Sequence, residues 1–218
     1  SKEGKLPIGS EGILEAEMLD KRWGSLLNVI SDLGKWKYKK VGAYPDYSES
    51  LWAGNHIIVI DIGQLGHKSV MQAWFQHLHN CMNDRKPEAT LVISRIYRQA
   101  RLDNYEISLR LNPLDKEDAQ LELTNLRNIA SKGIKQCWPV PPKSGWAITN
   151  TKIKGTRLEE KAFKNTWNGS LLSKGERDSE VMRLCFGRNT EWENFLNNND
   201  FKSAYKSLYS PILKHIES

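Results

Sequence analysis

Four apolar residues, Leu19, Trp23, Leu26 and Ile30, recur at steps of four, three and four, so they share one side of a helix predicted over residues 12–33 and stopped by Gly34. The period then changes. In "KWKYKKV", Trp36 and Tyr38 alternate with Lys35, Lys37 and Lys39, the pattern of a half-exposed strand. "GAYPDYSES", residues 42–50, is rich in residues that fix or free the backbone and reads as a turn. The run from Ile57 to Ile62 is β-branched almost throughout, as in a strand buried on both faces. A helix over residues 68–82 follows, carrying Met71, Trp74, Phe75 and Leu78. "ATLVISRIYR" (89–98) and "YEISLRL" (105–111) make two further strands, the second with Tyr105, Ile107, Leu109 and Leu111 in alternation.

Beyond residue 112 only helical patterns remain. Asp115 and Asp118 open a helix that Ala119, Leu123, Leu126 and Ala130 continue, and prolines 139, 141 and 142 break it with an extended connector. A short helix from about Ser144 precedes "RLEEKAFKNTW", for which Thr156 and Glu159 form the expected capping box and Gly169 the stop. "SLLSKGERDSE" reads as a polar loop, with "GERDSE" as an exposed, salt-bridged clip between helices. "EWENFL" is a short helix, and "DFKSAYKSLYSPILKHI" a terminal helix whose Phe201, Tyr205 and Tyr209 form a core stripe. The order predicts one α/β domain, with the sheet in residues 1–112 and a mostly helical remainder in 113–218.

The stretch "HIIVIDIGQLGHKSVMQAW", a buried strand ending in an acid and followed by a turn and a helix, has the outline of a Mg²⁺-dependent nuclease core of the restriction-endonuclease-like class. Such a site needs two acids from neighbouring strands to hold the metal, and a lysine two residues after the second acid, on the same face of its strand. With Asp61 as that acid, the lysine position is Gly63. Lys68 is the next cation along. The position for the first acid, three after Gly42, is Pro45, with Asp46 one residue later. The plain reading of Asp61 is a strand-end acid that caps the following turn.

Charge and cysteine content narrow the class. The 218 residues carry 32 Lys and Arg against 26 acids, a net charge of +6 that suits a polyanionic partner without requiring one. Mean hydropathy is −0.59, and no apolar run approaches the roughly 18–20 residues of a membrane span. Cys81, Cys137 and Cys185 are odd in number and far apart, which favours neither a disulfide framework nor a structural zinc and fits a reducing cytoplasm. The start, without methionine or a secretory signal, reads as that of a piece of a longer protein. No phosphate-cradling GxxxxGK[ST] loop is present, so ATP chemistry is not expected of this chain.

The ordered set "GKLPIGSEGILEAEML", Ile57 through "VMQAWFQHLHNC", "CWPVPPKSGWA", "KAFKNTW" and "GERDSEVMRLCFGRN" resembles the C-terminal domain of RecC, the gamma subunit of exodeoxyribonuclease V, over nearly the whole chain. The resemblance implies a restriction-endonuclease-like domain similar to the RecB nuclease domain but without its catalytic residues. The nuclease's Asp-Tyr-Lys motif then corresponds to Asp61, Ile62 and Gly63, its Gly-x-Ile-Asp motif to Gly42 through Pro45, and its glutamine and aromatic helix to Val70, Gln72 and Trp74. It further implies RecB-like and RecD-like partner subunits, double-stranded DNA ends and single-stranded DNA as substrates of the assembly, and Mg²⁺ and ATP held by the partners rather than by this domain. The expected role is assembly and DNA-strand guidance in double-strand-break repair by homologous recombination, without catalysis by this domain alone.

Two basic stretches are candidates for DNA contact: Lys35, Trp36, Lys37, Tyr38, Lys39 and Lys40, where cations and aromatics interleave, and Arg95, Arg98 and Arg101. Each has a plainer explanation. Strict alternation suits an edge strand with Trp36 and Tyr38 on the core and lysines in solvent, and the arginines suit a solvated face. His77 and His79, two apart on a helix, point to different sides and do not form a metal pair. Two other functions remain open: a Mg²⁺-dependent DNA nuclease with Asp61, Asp46 or Glu49, and Lys68 in displaced roles, and a pure protein-interaction module.

Overall fold

The β-branched run after residue 55 has no polar face to show to water, and the sheet is built around it. In the computed structural model, which describes residues 10–41, 48–82, 86–98, 101–171 and 173–217, this run is β3 (His56–Ile60), with Ile57, Ile58 and Val59 buried. The described residues form a five-stranded mixed sheet in the order β1 (Trp36–Val41), β2 (Ser48–Ala53), β3, β4 (Ala89–Arg98), β5 (Arg101–Leu111). Among the described residues only β3 and β4 pair in parallel, and the connection between them carries α2 (His67–Cys81).

Each face of the sheet has its own apolar core. On one side lies α1 (Ser10–Asp32), whose Leu26 and Ile30 pack with Ala53, Ile58, Ile93 and Tyr105, while the Ser25 hydroxyl accepts the Tyr105 N–H at 2.9 Å. On the other side α2 lies against the sheet and packs with α3 (Lys116–Lys135) and α4 (Pro142–Ile153), on which α5 (Glu159–Asn168) and α8 (Asn199–Lys214) pack in turn. Trp74, Phe163, Trp167 and Tyr209 are almost wholly buried there. The stripe of Phe201, Tyr205 and Tyr209 faces this core, as its spacing requires. Between α5 and α8 come a hairpin of β6 (Gly169–Ser170) and β7 (Ser173–Lys174), a 3-10 turn at Glu176–Asp178, α6 (Glu180–Phe186) and α7 (Trp192–Leu196). The chain end returns to the sheet, where Asn112 N–H donates to His215 O at 2.7 Å.

Several local expectations give way to tertiary pairing. Ser48, Glu49 and Ser50 are not turn residues: the ladder to β1 makes them the start of β2 despite their weak strand propensity. Ile62 lies outside β3 and is 77% exposed, because Asp61 ends the strand. The alternation in β5 is interrupted, since Val92 pairs with Leu109 and Ile93 with Ile107, which leaves Ser108 as an extra residue. That bulge sends Tyr105 to the α1 side and Leu109 and Leu111 to the other, and leaves Ile107 half exposed. Thr156 does not cap α5; its hydroxyl donates to Thr151 O, and Leu158 stands at the helix start. The segment read as a polar loop, residues 170–180, holds a short hairpin and the 3-10 turn, and α6 follows it in residues for which the pattern predicted no element. The first helix also buries only part of its stripe: Trp23 is 58% exposed.

Candidate functional site

Asp61 continues β3 by one main-chain bond, its N–H donating to Ile93 O at 2.9 Å, and then its side chain folds the chain over. Oδ1 accepts the Gly63 N–H at 2.9 Å; Oδ2 accepts the Ser69 hydroxyl at 2.6 Å and the Gly66 N–H at 3.3 Å. The carboxylate thus ties the strand end to the first turn of α2, and both of its oxygens are committed. Gly63, at the position a nuclease lysine would hold, has no side chain and contributes only main-chain groups: its N–H to Asp61 and its carbonyl to the Arg95 N–H at 2.8 Å. Lys68 is exposed on α2. Glu49 shares the alternation of Leu51 and Ala53, which face α1, whereas Asp61 follows that of Val59, which faces α2. The sheet therefore separates these two acids. Among the described residues no three His, Cys, Asp or Glu side chains gather as metal ligands. Pro45 and Asp46 lie outside the described residues.

The polar residues of α2 hold neighbouring strands. Gln72 is exposed, while Trp74 is buried with its ring 5.9 Å from both the His77 and the His215 rings. Gln76 donates to Glu49 O at 2.8 Å, and Asn80 to the Ser50 hydroxyl at 2.9 Å, fixing β2 to the helix. On the same face of the sheet His77 reaches the strands at the far edge, with Nε2 3.0 Å from Asn112 O just past β5 and Nδ1 2.8 Å from the Thr90 hydroxyl of β4. A carbonyl only accepts, so Nε2 carries the proton and Thr90 donates to Nδ1. Burial holds the His77 pKa down at about 4, against the opposing bond to Asn112. His79 is buried too and packs edge-on against Phe75, with ring centroids 4.5 Å apart.

The basic stretches separate into different environments. Trp36 and Tyr38 do not face the core: they pair across the ladder with Ala53 and Leu51 on the α1 side, but α1 leans towards β5 and leaves them 61% and 72% exposed. Lys37 and Lys39 occupy the opposite face, where Lys39 Nζ sits 3.4 Å from the centroid of the buried Trp52 ring. Lys35 is exposed, and the Lys40 side chain lies outside the described residues. Arg95 is not on a solvated face; it is 8% exposed and lines a cleft with Gln64, Ser94, Ser108 and Lys154. Arg98 and Arg101 pair across the end of the β4–β5 hairpin, so the three arginines do not form one strand face; the side chains of Arg98 and Arg101 lie outside the described residues.

Sequence reasoning missed Glu176. It sits in the segment expected to be exposed, yet is 6% exposed and accepts the Lys143 N–H at 2.8 Å, and the Ser144 N–H and hydroxyl at 2.7 Å each. A carboxylate at the N-terminus of α4 satisfies main-chain donors that the helix cannot, and it meets the positive end of the helix dipole. The prolines before Lys143 marked a helix start without revealing its cap.

A family model described as the RecC C-terminal domain matches residues 1–152, more than two thirds of the chain. The chain belongs to the RecC C-terminal domain family. Comparison with curated proteins returns no match. The matched part of this RecC-type domain holds the entire five-stranded sheet and ends near the close of α4, while α5 and α8, which complete the larger core, follow it.

Proposed function

We propose that this RecC-type chain is a non-catalytic domain of the exodeoxyribonuclease V gamma subunit, with a restriction-endonuclease-like core retained for subunit assembly and DNA-strand guidance in recombinational repair. The observation that carries the reading is the Asp61 turn. A carboxylate whose oxygens already accept two N–H groups and a hydroxyl, followed by Gly63 in place of a lysine, serves the fold rather than a metal-bound phosphate. The placement of Glu49 on the other face of the sheet counts against the displaced nuclease. For the docking part, Ile13, Leu14, Met18 and Trp23 of α1 and Trp36 and Tyr38 of β1 are all more than half exposed, an apolar surface of the kind that partner proteins cover. RecB-like and RecD-like subunits are the partners this reading names. Any Mg²⁺ or ATP dependence belongs to them.

The test is binding of a forked DNA with single-stranded tails to the purified chain by fluorescence anisotropy, at rising salt and with Mg²⁺ present, followed by gel analysis of the DNA. Intact DNA and an affinity that falls steeply with salt are expected, because phosphate contacts release counterions. Mg²⁺-dependent strand cleavage that Asp61→Ala abolishes would overturn the non-catalytic reading. Salt-independent absence of binding would remove DNA guidance and leave a protein-interaction module.

A further inference from the structure

The fold brings together two cysteines that the sequence keeps apart. Cys137 stands just beyond the C-cap of α3, and Cys185 lies in the last turn of α6; both line one cavity, with Pro139, Phe186 and Thr190 on its walls. Both are free thiols, Cys137 exposed and Cys185 half-buried. Across that shared cavity Cys137, together with burial, pushes the Cys185 thiol pKa above its ordinary range. Cys81, by contrast, is fully buried against His77.

We propose that Cys137 and Cys185 form a dithiol site that takes a small disulfide oxidant, such as glutathione disulfide, and closes reversibly into an intramolecular disulfide. The exposed Cys137 thiolate attacks one sulfur of the oxidant, forms a mixed disulfide and releases one glutathione thiolate. Cys185 then loses its proton to solvent and attacks the Cys137 sulfur, displacing the second glutathione thiolate. Two cysteines are oxidised to one disulfide, and one glutathione disulfide is reduced to two glutathiones. The bond would join α6, which buries none of its residues, to the connector between α3 and α4. It would also tie the part of the chain that matches the family to the helices that follow.

The experiment treats the full chain with glutathione disulfide under native conditions, maps linkages by non-reducing peptide mass spectrometry, and counts thiols after denaturation. The expected result is a Cys137–Cys185 linked peptide, a fall from three thiols to one, and a melting temperature about 5–10 °C higher that reverts with reductant. Cys137→Ser and Cys185→Ser, checked for native circular dichroism, should each stop at a mixed disulfide on the remaining cysteine. Separate glutathione adducts on both cysteines of the unmutated chain would overturn the proposal. So would linkage between chains, or an internal link that forms only in urea.

Discussion

Asp61 and Glu176 are carboxylates of one kind: each accepts main-chain N–H groups and a serine hydroxyl, and each holds the start of a helix against another part of the chain. Charge-assisted bonds to a buried carboxylate are stronger than neutral ones, and removing the acceptor leaves buried donors unsatisfied. Glu176→Ala is therefore expected to lower unfolding free energy by about 1–3 kcal/mol, read as a reduced urea midpoint. An unchanged midpoint would mean that water replaces the cap without cost. The role of Asp61 was legible in the sequence because its partners, Gly63, Gly66 and Ser69, lie within eight residues along the chain. That of Glu176 was not, because Lys143 and Ser144 lie 33 and 32 residues earlier.

At the scale of elements, periodicity located α1, α2, β1, β3 and β4 because each carries its own pattern of burial. What it could not show is which neighbour covers a face. The alternation of β1 is real, yet its aromatic side is left open, since α1 crosses the sheet towards β5. β2 had no pattern of its own and exists through its ladders, and the bulge at Ser108 is set by pairing with β4 rather than by any turn residue. The docking role proposed above can be tested at this open side of β1. The double substitution Trp36→Ser, Tyr38→Ser, made in the intact gamma subunit, is expected to weaken capture of the partner subunits by tenfold or more, because exposed aromatics of this kind are frequent anchors of interfaces. The isolated chain should melt within a few degrees of the unsubstituted one, since neither ring is buried. Unchanged capture would place the docking surface elsewhere.

For the molecule as a whole, the family and the α/β architecture followed from ordered motifs and from the change of period after residue 112. The joining of the helical remainder to the sheet followed from neither. It rests on long-range contacts such as the stacking of Trp74 between His77 and His215. The same region sets an acid limit to stability. His77 has a folded pKa near 4 against an ordinary value of 6.5, so the unfolded chain binds more protons between those values. Stability should fall as pH drops from about 6.5 towards 4, by roughly 3 kcal/mol from this group, and level off below. Burial lowers the pKa of His67 and of His215 as well, in the same direction. Urea midpoints at a series of pH values test this: His77→Gln should flatten the acid slope without abolishing it, and an unaltered slope would assign the sensitivity to other groups.

The central claim is that Asp61 belongs to the fold and not to a metal site. Thermal melting of the chain and of Asp61→Ala in Mg²⁺, Mn²⁺ and chelator tests it most directly, because a ligand that binds only the folded state raises the melting temperature. The expected result is a lower melting temperature for Asp61→Ala in every buffer and the same value with or without metal for both proteins. A rise with Mn²⁺ or Mg²⁺ that vanishes in Asp61→Ala would contradict the account.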